Sequence, residues 1–142
     1  MYSGEYNHTI DSKGRLIVPS KFREALGECF MITKGVDHCL TIYDKEEWSE
    51  FVAKLRTLPG GEQTRKMVRF ISAGAVEAEI DKQGRILIPG ELRKWAGLEK
   101  DVVLAGVLNR IEVWDKAAWE EANTFNDMNE IAEHMAEFGL GI

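Results

Sequence analysis

Cysteine is scarce in this chain: Cys29 and Cys39 are the only two among 142 residues, and they form no C-x-x-C pair. A disulfide framework and a zinc-ribbon spacing are therefore both excluded, and the two thiols read as reduced core or strand residues. Long apolar runs are missing too. No stretch approaches membrane-spanning length, and the opening Met1-Tyr2-Ser3-Gly4-Glu5-Tyr6 lacks the basic start and apolar run of a secretory signal, so a cytosolic location is expected. Histidine is thin, with His8, His38 and His134 in no H-x-x-x-H or H-E-x-x-H context. Neither G-x-S-x-G, G-x-G-x-x-G nor a phosphate loop occurs. Asp37-His38-Cys39 with Cys29 is the nearest approach to a metal cluster, and ordinary turn and strand roles account for it better. These absences argue against an enzyme and call for no cofactor and no metal.

Lysine and arginine are absent from Glu120 onward. That segment holds Glu120, Glu121, Asp127, Glu130, Glu133 and Glu137 and carries the whole net charge of -6, because the rest of the chain has as many bases as acids. A pI near 5.1 thus leaves room for a local basic patch. Fields between exposed charges fall off within about 8 Å at physiological salt.

What the chain does have is a repeat. Ile10-Asp11-Ser12-Lys13-Gly14-Arg15 returns 70 residues later as Ile80-Asp81-Lys82-Gln83-Gly84-Arg85, and each copy runs on into an apolar stretch ending in Pro19 or Pro89. The pattern is strand, tight turn, strand. A three-residue hairpin loop is commonly a type I turn followed by a left-handed residue, which Gly occupies most cheaply. Asp11 then faces Arg15, and Asp81 faces Arg85, close enough for a carboxylate to hold a guanidinium fork. Each tip presents an aimed cation.

Around the repeated turn, each unit has the same order. Tyr6, His8 and Ile10 share one face of a first strand. Ser20 is the expected N-cap of a short helix through Leu26, stopped by Gly27. Residues 29–33 and 39–43 form a second hairpin about Lys34-Gly35-Val36-Asp37. Asp44 with Glu47 has capping-box spacing, and Trp48, Phe51, Val52 and Leu55 then share a helix face. After the linker Pro59-Gly60-Gly61, a helix over 62–72 is expected to bury Met67, Val68 and Ile71, leaving Arg65, Lys66 and Arg69 outside. The second unit repeats this with a strand over 75–80, a helix over 90–95 stopped by Gly97, a hairpin of 101–105 with 110–114, and an Asp115 start matching Asp44. The expected division is 1–58 and 75–125 for the two repeats, 59–74 for the linker and connecting helix, and 126–142 for an acidic helix and tail. In that tail Met128, Ile131, Met135 and Phe138 fall at helical spacing; its acidic face is either solvated or beside a basic patch of a neighbouring subunit.

A single Asp-Arg hairpin would read as a surface ion pair worth about 0 to 1 kcal/mol. Two copies that both keep Asp, Gly, Arg, the later Pro and a further Arg (Arg23, Arg93) point to a use. A two-stranded ribbon fits the major groove, and an Arg fork matches guanine O6 and N7 or phosphate oxygens. On Gly4 to Arg15, Pro19 to Arg23 and Asp81 to Arg85, the sequence resembles the MraZ family of bacterial transcriptional regulators, grouped with the AbrB-like swapped-hairpin DNA-binding proteins. The resemblance implies an α+β fold with a mainly β core, in which two pseudo-repeats interlock their hairpins into a double-split (AbrB-like) β-barrel with helices outside. It implies a nucleoid-associated homo-oligomer, a ring such as an octamer. Its partner would be double-stranded DNA, at short direct repeats upstream of the cell-division and cell-wall operon. Carried over, Arg15 and Arg85 are the recognition arginines, supported by Asp11, Asp81, Gly14 and Gly84. Lys13 and Lys82 would contact phosphate from neighbouring, not equivalent, loop positions, and Arg23 and Arg93 match a basic position used near DNA or form an internal structural pair. The alternative is a structural or adaptor ring that binds a protein through its tips.

Overall fold

A computed structural model describes Met1–Ile142. In chain order the elements are β1 (Tyr2–Thr9), β2 (Arg15–Ile17), α1 (Ser20–Leu26), β3 (Cys29–Lys34), β4 (Leu40–Asp44), α2 (Lys45–Arg56) and α3 (Glu62–Ala73). There follow β5 (Val76–Glu79), β6 (Arg85–Leu87), α4 (Gly90–Ala96), β7 (Asp101–Leu108), β8 (Ile111–Asp115), α5 (Lys116–Ala122) and α6 (Met128–Ala136). The class is α+β with antiparallel sheets.

The pairing of the strands is the central feature. One sheet has the order β1-β7-β8-β4-β3-β5, and β2 pairs with β6 in a separate two-stranded ribbon. Exchanging the repeats (β1 for β5, β3 for β7, β4 for β8) returns the same order read backwards, so an approximate two-fold axis runs between β4 and β8. The outer strands change sides: β1 of the first repeat pairs with β7 of the second, and β5 of the second pairs with β3 of the first. The expected local hairpin between β1 and β2 is therefore reduced to its tip, with a single bridge between Ile10 and Leu16. The tip itself forms as the turn chemistry dictates, but the arms diverge to partners in the other half.

One core results, shared by both repeats. Leu16, Val18 and Phe22 of the first unit and their counterparts Ile86, Ile88 and Leu92 are all buried in a single cluster of 19 residues. Burying each such side chain contributes about 1.5–3 kcal/mol, and that contribution is available only when the halves are joined. Around this core the caps follow the sequence. Asp44 accepts a hydrogen bond from the Glu47 N–H at 2.8 Å, Asp115 does the same for Ala118 at 3.3 Å, and Gly97 ends α4 in the left-handed conformation. The Asp44 carboxylate also receives the Tyr2 hydroxyl at 2.6 Å, tying the start of β1 to the start of α2.

Two expectations need correction. Ser20 is not the N-cap of α1: Pro19 holds that position and no side chain caps the helix. Pro removes one donor from the first turn and presets its φ, so the cap is dispensable. In α3 only Ile71 is buried; Val68 is half-buried and Met67 is exposed. The helix is anchored at its C-terminal end, where the Thr33 hydroxyl donates to the Ile71 carbonyl at 2.7 Å, and its middle overhangs a surface groove that Met67 lines. Cys39 is buried and Cys29 half-exposed, both as free thiols.

Candidate nucleic-acid interface

Each turn is built around its aspartate. Asp11 Oδ1 accepts from the backbone N–H groups of Lys13 (3.0 Å) and Arg15 (2.9 Å), and Oδ2 accepts from Arg15 Nε at 2.6 Å. Asp81 repeats the set with Gln83 (2.8 Å), Arg85 (2.9 Å) and Arg85 Nε at 3.1 Å. Both carboxyls are held below the usual range, first by the backbone N–H of Arg15 or Arg85. The guanidinium is gripped through Nε alone, not by both arms of its fork. Its two terminal nitrogens have no partner in the chain and stay available to an outside acceptor.

The ribbon register brings the two arginines together. Arg15 lies opposite Leu87, and Ile17 opposite Arg85, while Leu16 and Ile86 point into the core. Arg15, Ile17, Arg85 and Leu87 thus share the outer face. Diagonal neighbours across a ladder stand roughly 7–8 Å apart, so the two cations form one head, not two remote sites. Ile17 and Leu87 are 44% and 59% exposed, unusual for residues in the middle of apolar runs.

The interlock also fixes the glycines. Gly14 (φ 87°) and Gly84 (φ 78°) are left-handed, as the turn requires. Their carbonyls accept from the other repeat: Ile88 N–H to Gly14 O at 2.8 Å and Val18 N–H to Gly84 O at 2.9 Å. Arg93 crosses to the Gly14 turn and donates Nε to the Ile88 carbonyl at 3.1 Å, and Arg23 lies against Gly84. Each turn is therefore braced by the opposite repeat's helix. Lys13 and Lys82 are exposed at the tips.

Comparison with known proteins agrees with the two-fold build. The family described as "MraZ protein, putative antitoxin-like" matches this chain twice, over residues 1–71 and 71–138. The "Transcriptional regulator MraZ" of Lachnoclostridium phytofermentans is 58% identical over 140 residues, covering 99% of both chains. That of Acetivibrio thermocellus is 57% identical over 143 residues, covering 99% of this chain and all of its own.

The chain belongs to the MraZ family.

As a member of the MraZ family it is a transcriptional regulator, not an enzyme. No helix is long and apolar enough to cross a membrane. In this MraZ chain the sequence singled out Asp11, Arg15, Asp81 and Arg85; the structure puts the two arginines in one ribbon and each aspartate in the turn at one end of it. It missed Ile17 and Leu87. Residues two apart on a strand share a face, but Leu16-Ile17-Val18 and Ile86-Leu87-Ile88 are apolar at every position, so no alternation marks the middle residue as outward.

Proposed function

We propose that the outer face of the β2–β6 ribbon reads double-stranded DNA, making the chain a sequence-specific regulator at short direct repeats upstream of the cell-division and cell-wall operon. The observation that carries this is the pair Arg15 and Arg85, each fixed by an aspartate through Nε with its terminal nitrogens free, side by side on one exposed ribbon. Such a fork suits guanine O6 and N7, and exposed Ile17 and Leu87 suit thymine methyl groups in the same groove. Lys13, Lys82, Arg23 and Arg93 add positive charge around the tips for phosphate, Arg23 and Arg93 from positions that also brace the turns. Residues 1–58 and 75–125 are the two AbrB-like units of a double-split barrel, with 59–74 joining them and 126–142 as an acidic appendage.

One head with two recognition cations binds weakly. A ring of copies, such as an octamer, engaging successive repeats supplies the affinity through effective concentration. The test is a gel shift on the chain's own upstream DNA with Arg15→Ala, Arg85→Ala and the double variant. Each single change is expected to weaken specific binding by about 1–3 kcal/mol. Unchanged binding by a folded double variant would refute the proposal, and equal affinity for unrelated DNA would favour the adaptor alternative.

A further inference from the structure

The two turns share one backbone design but are held unequally from behind. At the first, the Ile88 peptide is tied at both of its polar atoms: its N–H donates to the Gly14 carbonyl at 2.8 Å, and its carbonyl accepts from Arg93 Nε at 3.1 Å. The Arg93 guanidinium lies over Gly14, in space that a Cβ would fill. At the second turn the backbone bond recurs, from the Val18 N–H to the Gly84 carbonyl at 2.9 Å, and Arg23 lies over Gly84 in the same way. Arg23 donates no matching bond to the Val18 carbonyl.

Two further observations run in the same direction. The helix that carries Arg93 is pinned through Trp95, whose Nε1 donates to the Gly35 carbonyl at 2.9 Å and whose ring stacks on His38 at 4.1 Å and meets Phe70 edge-on at 5.1 Å. The matching position on α1 is Ala25, which is exposed. That helix rests instead on Phe22 against Tyr2 and Tyr6, ring contacts without a directional bond. The aspartate grip differs as well: Arg15 Nε stands 2.6 Å from Asp11, and Arg85 Nε 3.1 Å from Asp81.

We infer that Arg93, beyond its charge, is a positioning residue that acts across the repeats: from the second repeat it fixes Arg15 of the first, whereas Arg85, whose counterpart Arg23 lacks the bond, stays adaptable. The ribbon then offers DNA one rigid contact and one compliant contact. A preorganised donor binds a well-placed acceptor at a low ordering cost and loses the bond when the acceptor is displaced, so base choice is stricter opposite Arg15 than opposite Arg85. This deepens the reading of the ribbon as a DNA-binding face and rests on it for recognition, though not for the unequal grip itself.

Two measurements on the full-length chain test the inference. Amide hydrogen exchange without DNA reads the grip in the parent protein and needs no variant. The Arg15 and Ile88 amides are expected to be protected about 2- to 12-fold more than those of Arg85 and Val18, the worth of one net hydrogen bond, and Arg93→Gln should erase the difference. Equal protection at the two turns of the parent would overturn the inference. The second measurement is affinity for the chain's own upstream DNA in double-variant cycles. Arg93→Gln should weaken binding in the parent and in Arg85→Ala, and cost markedly less in Arg15→Ala, where nothing is left to aim. Equal losses in all three backgrounds would show that Arg93 acts by its charge alone and would overturn the positioning role. Binding that neither Arg15→Ala nor Arg85→Ala alters would refute DNA reading by the ribbon and with it the part of Arg93 in recognition, while the exchange result still decides the unequal grip.

Discussion

Gly14→Ala tests whether the opposite repeat, and not the turn alone, sets the geometry of the β2–β6 ribbon's tip. Gly14 has a φ of 87°, a conformation that costs an L-residue about 1–2 kcal/mol. A methyl group there would also lie 2.6 Å from the Ile88 carbonyl oxygen and 2.9 Å from Arg93 Nε. The carbonyl is backbone and cannot swing aside. Its strand is pinned by the Ile88 N–H to Gly14 O bond of 2.8 Å, so relief means opening a hydrogen bond worth about 0.5–1.5 kcal/mol. Together the expected loss is about 1.5–3.5 kcal/mol, a large share of the stability of roughly 5–15 kcal/mol typical of a domain. Gly97→Ala is the control. Gly97 is also left-handed (φ 61°), but an added Cβ meets nothing within 4 Å, so it should lose only the conformational term of about 1–2 kcal/mol. Urea unfolding followed by tryptophan fluorescence, at one protein concentration, measures both. Equal losses for the two variants would show that the opposite repeat exerts no constraint on the turn, and the account of a braced tip would fail.

Tyr2→Phe should cost about 1–2 kcal/mol in the same assay, since it removes a hydrogen bond to a charged, half-buried acceptor that also caps α2; an unchanged midpoint would refute the link. Asp11 and Asp81 have lowered pKa values, so the stability they add is complete above the unfolded carboxylate value of about 3.9 and is lost as pH falls through the lower folded values. Unfolding midpoints between pH 6 and 2 should therefore drop more steeply for the parent than for Asp11→Asn/Asp81→Asn, and parallel curves would contradict this. Burial pushes the Cys39 thiol up to about 12, with Glu112 adding to the effect. At pH 8 a thiol reagent should modify half-exposed Cys29 in the folded protein and Cys39 only after denaturation; two thiols reacting at one rate would be inconsistent with the packing of Cys39.

Local chemistry was legible in the sequence, and long-range pairing was not. The Asp-x-x-Gly-Arg turns, the Asp44 and Asp115 caps and the Gly27 and Gly97 stops are each decided within four or five residues. They formed where the residue types placed them. The exchange of β1 and β5 between halves is decided by contacts as distant as Tyr2 with Leu108, which no periodicity encodes. Met67 failed for a related reason. Helical spacing identifies a face but not how far the neighbouring sheet extends beneath it, and α3 runs past the end of its support. At the site, Arg15 and Arg85 could be named from their turns, whereas their adjacency and the exposure of Ile17 and Leu87 depend on the β2–β6 register.

That ribbon is nearly the same seen from either end, because the two-fold axis of the fold runs through it. A head with full two-fold symmetry has no sense of direction along a duplex and would suit inverted sequences. Here the backbone is symmetric but the loops are not: Ser12-Lys13 on one tip faces Lys82-Gln83 on the other, which moves the lysine by one position. The two matching halves make the ribbon's backbone two-fold, and those two loop positions are where its two ends differ in charge.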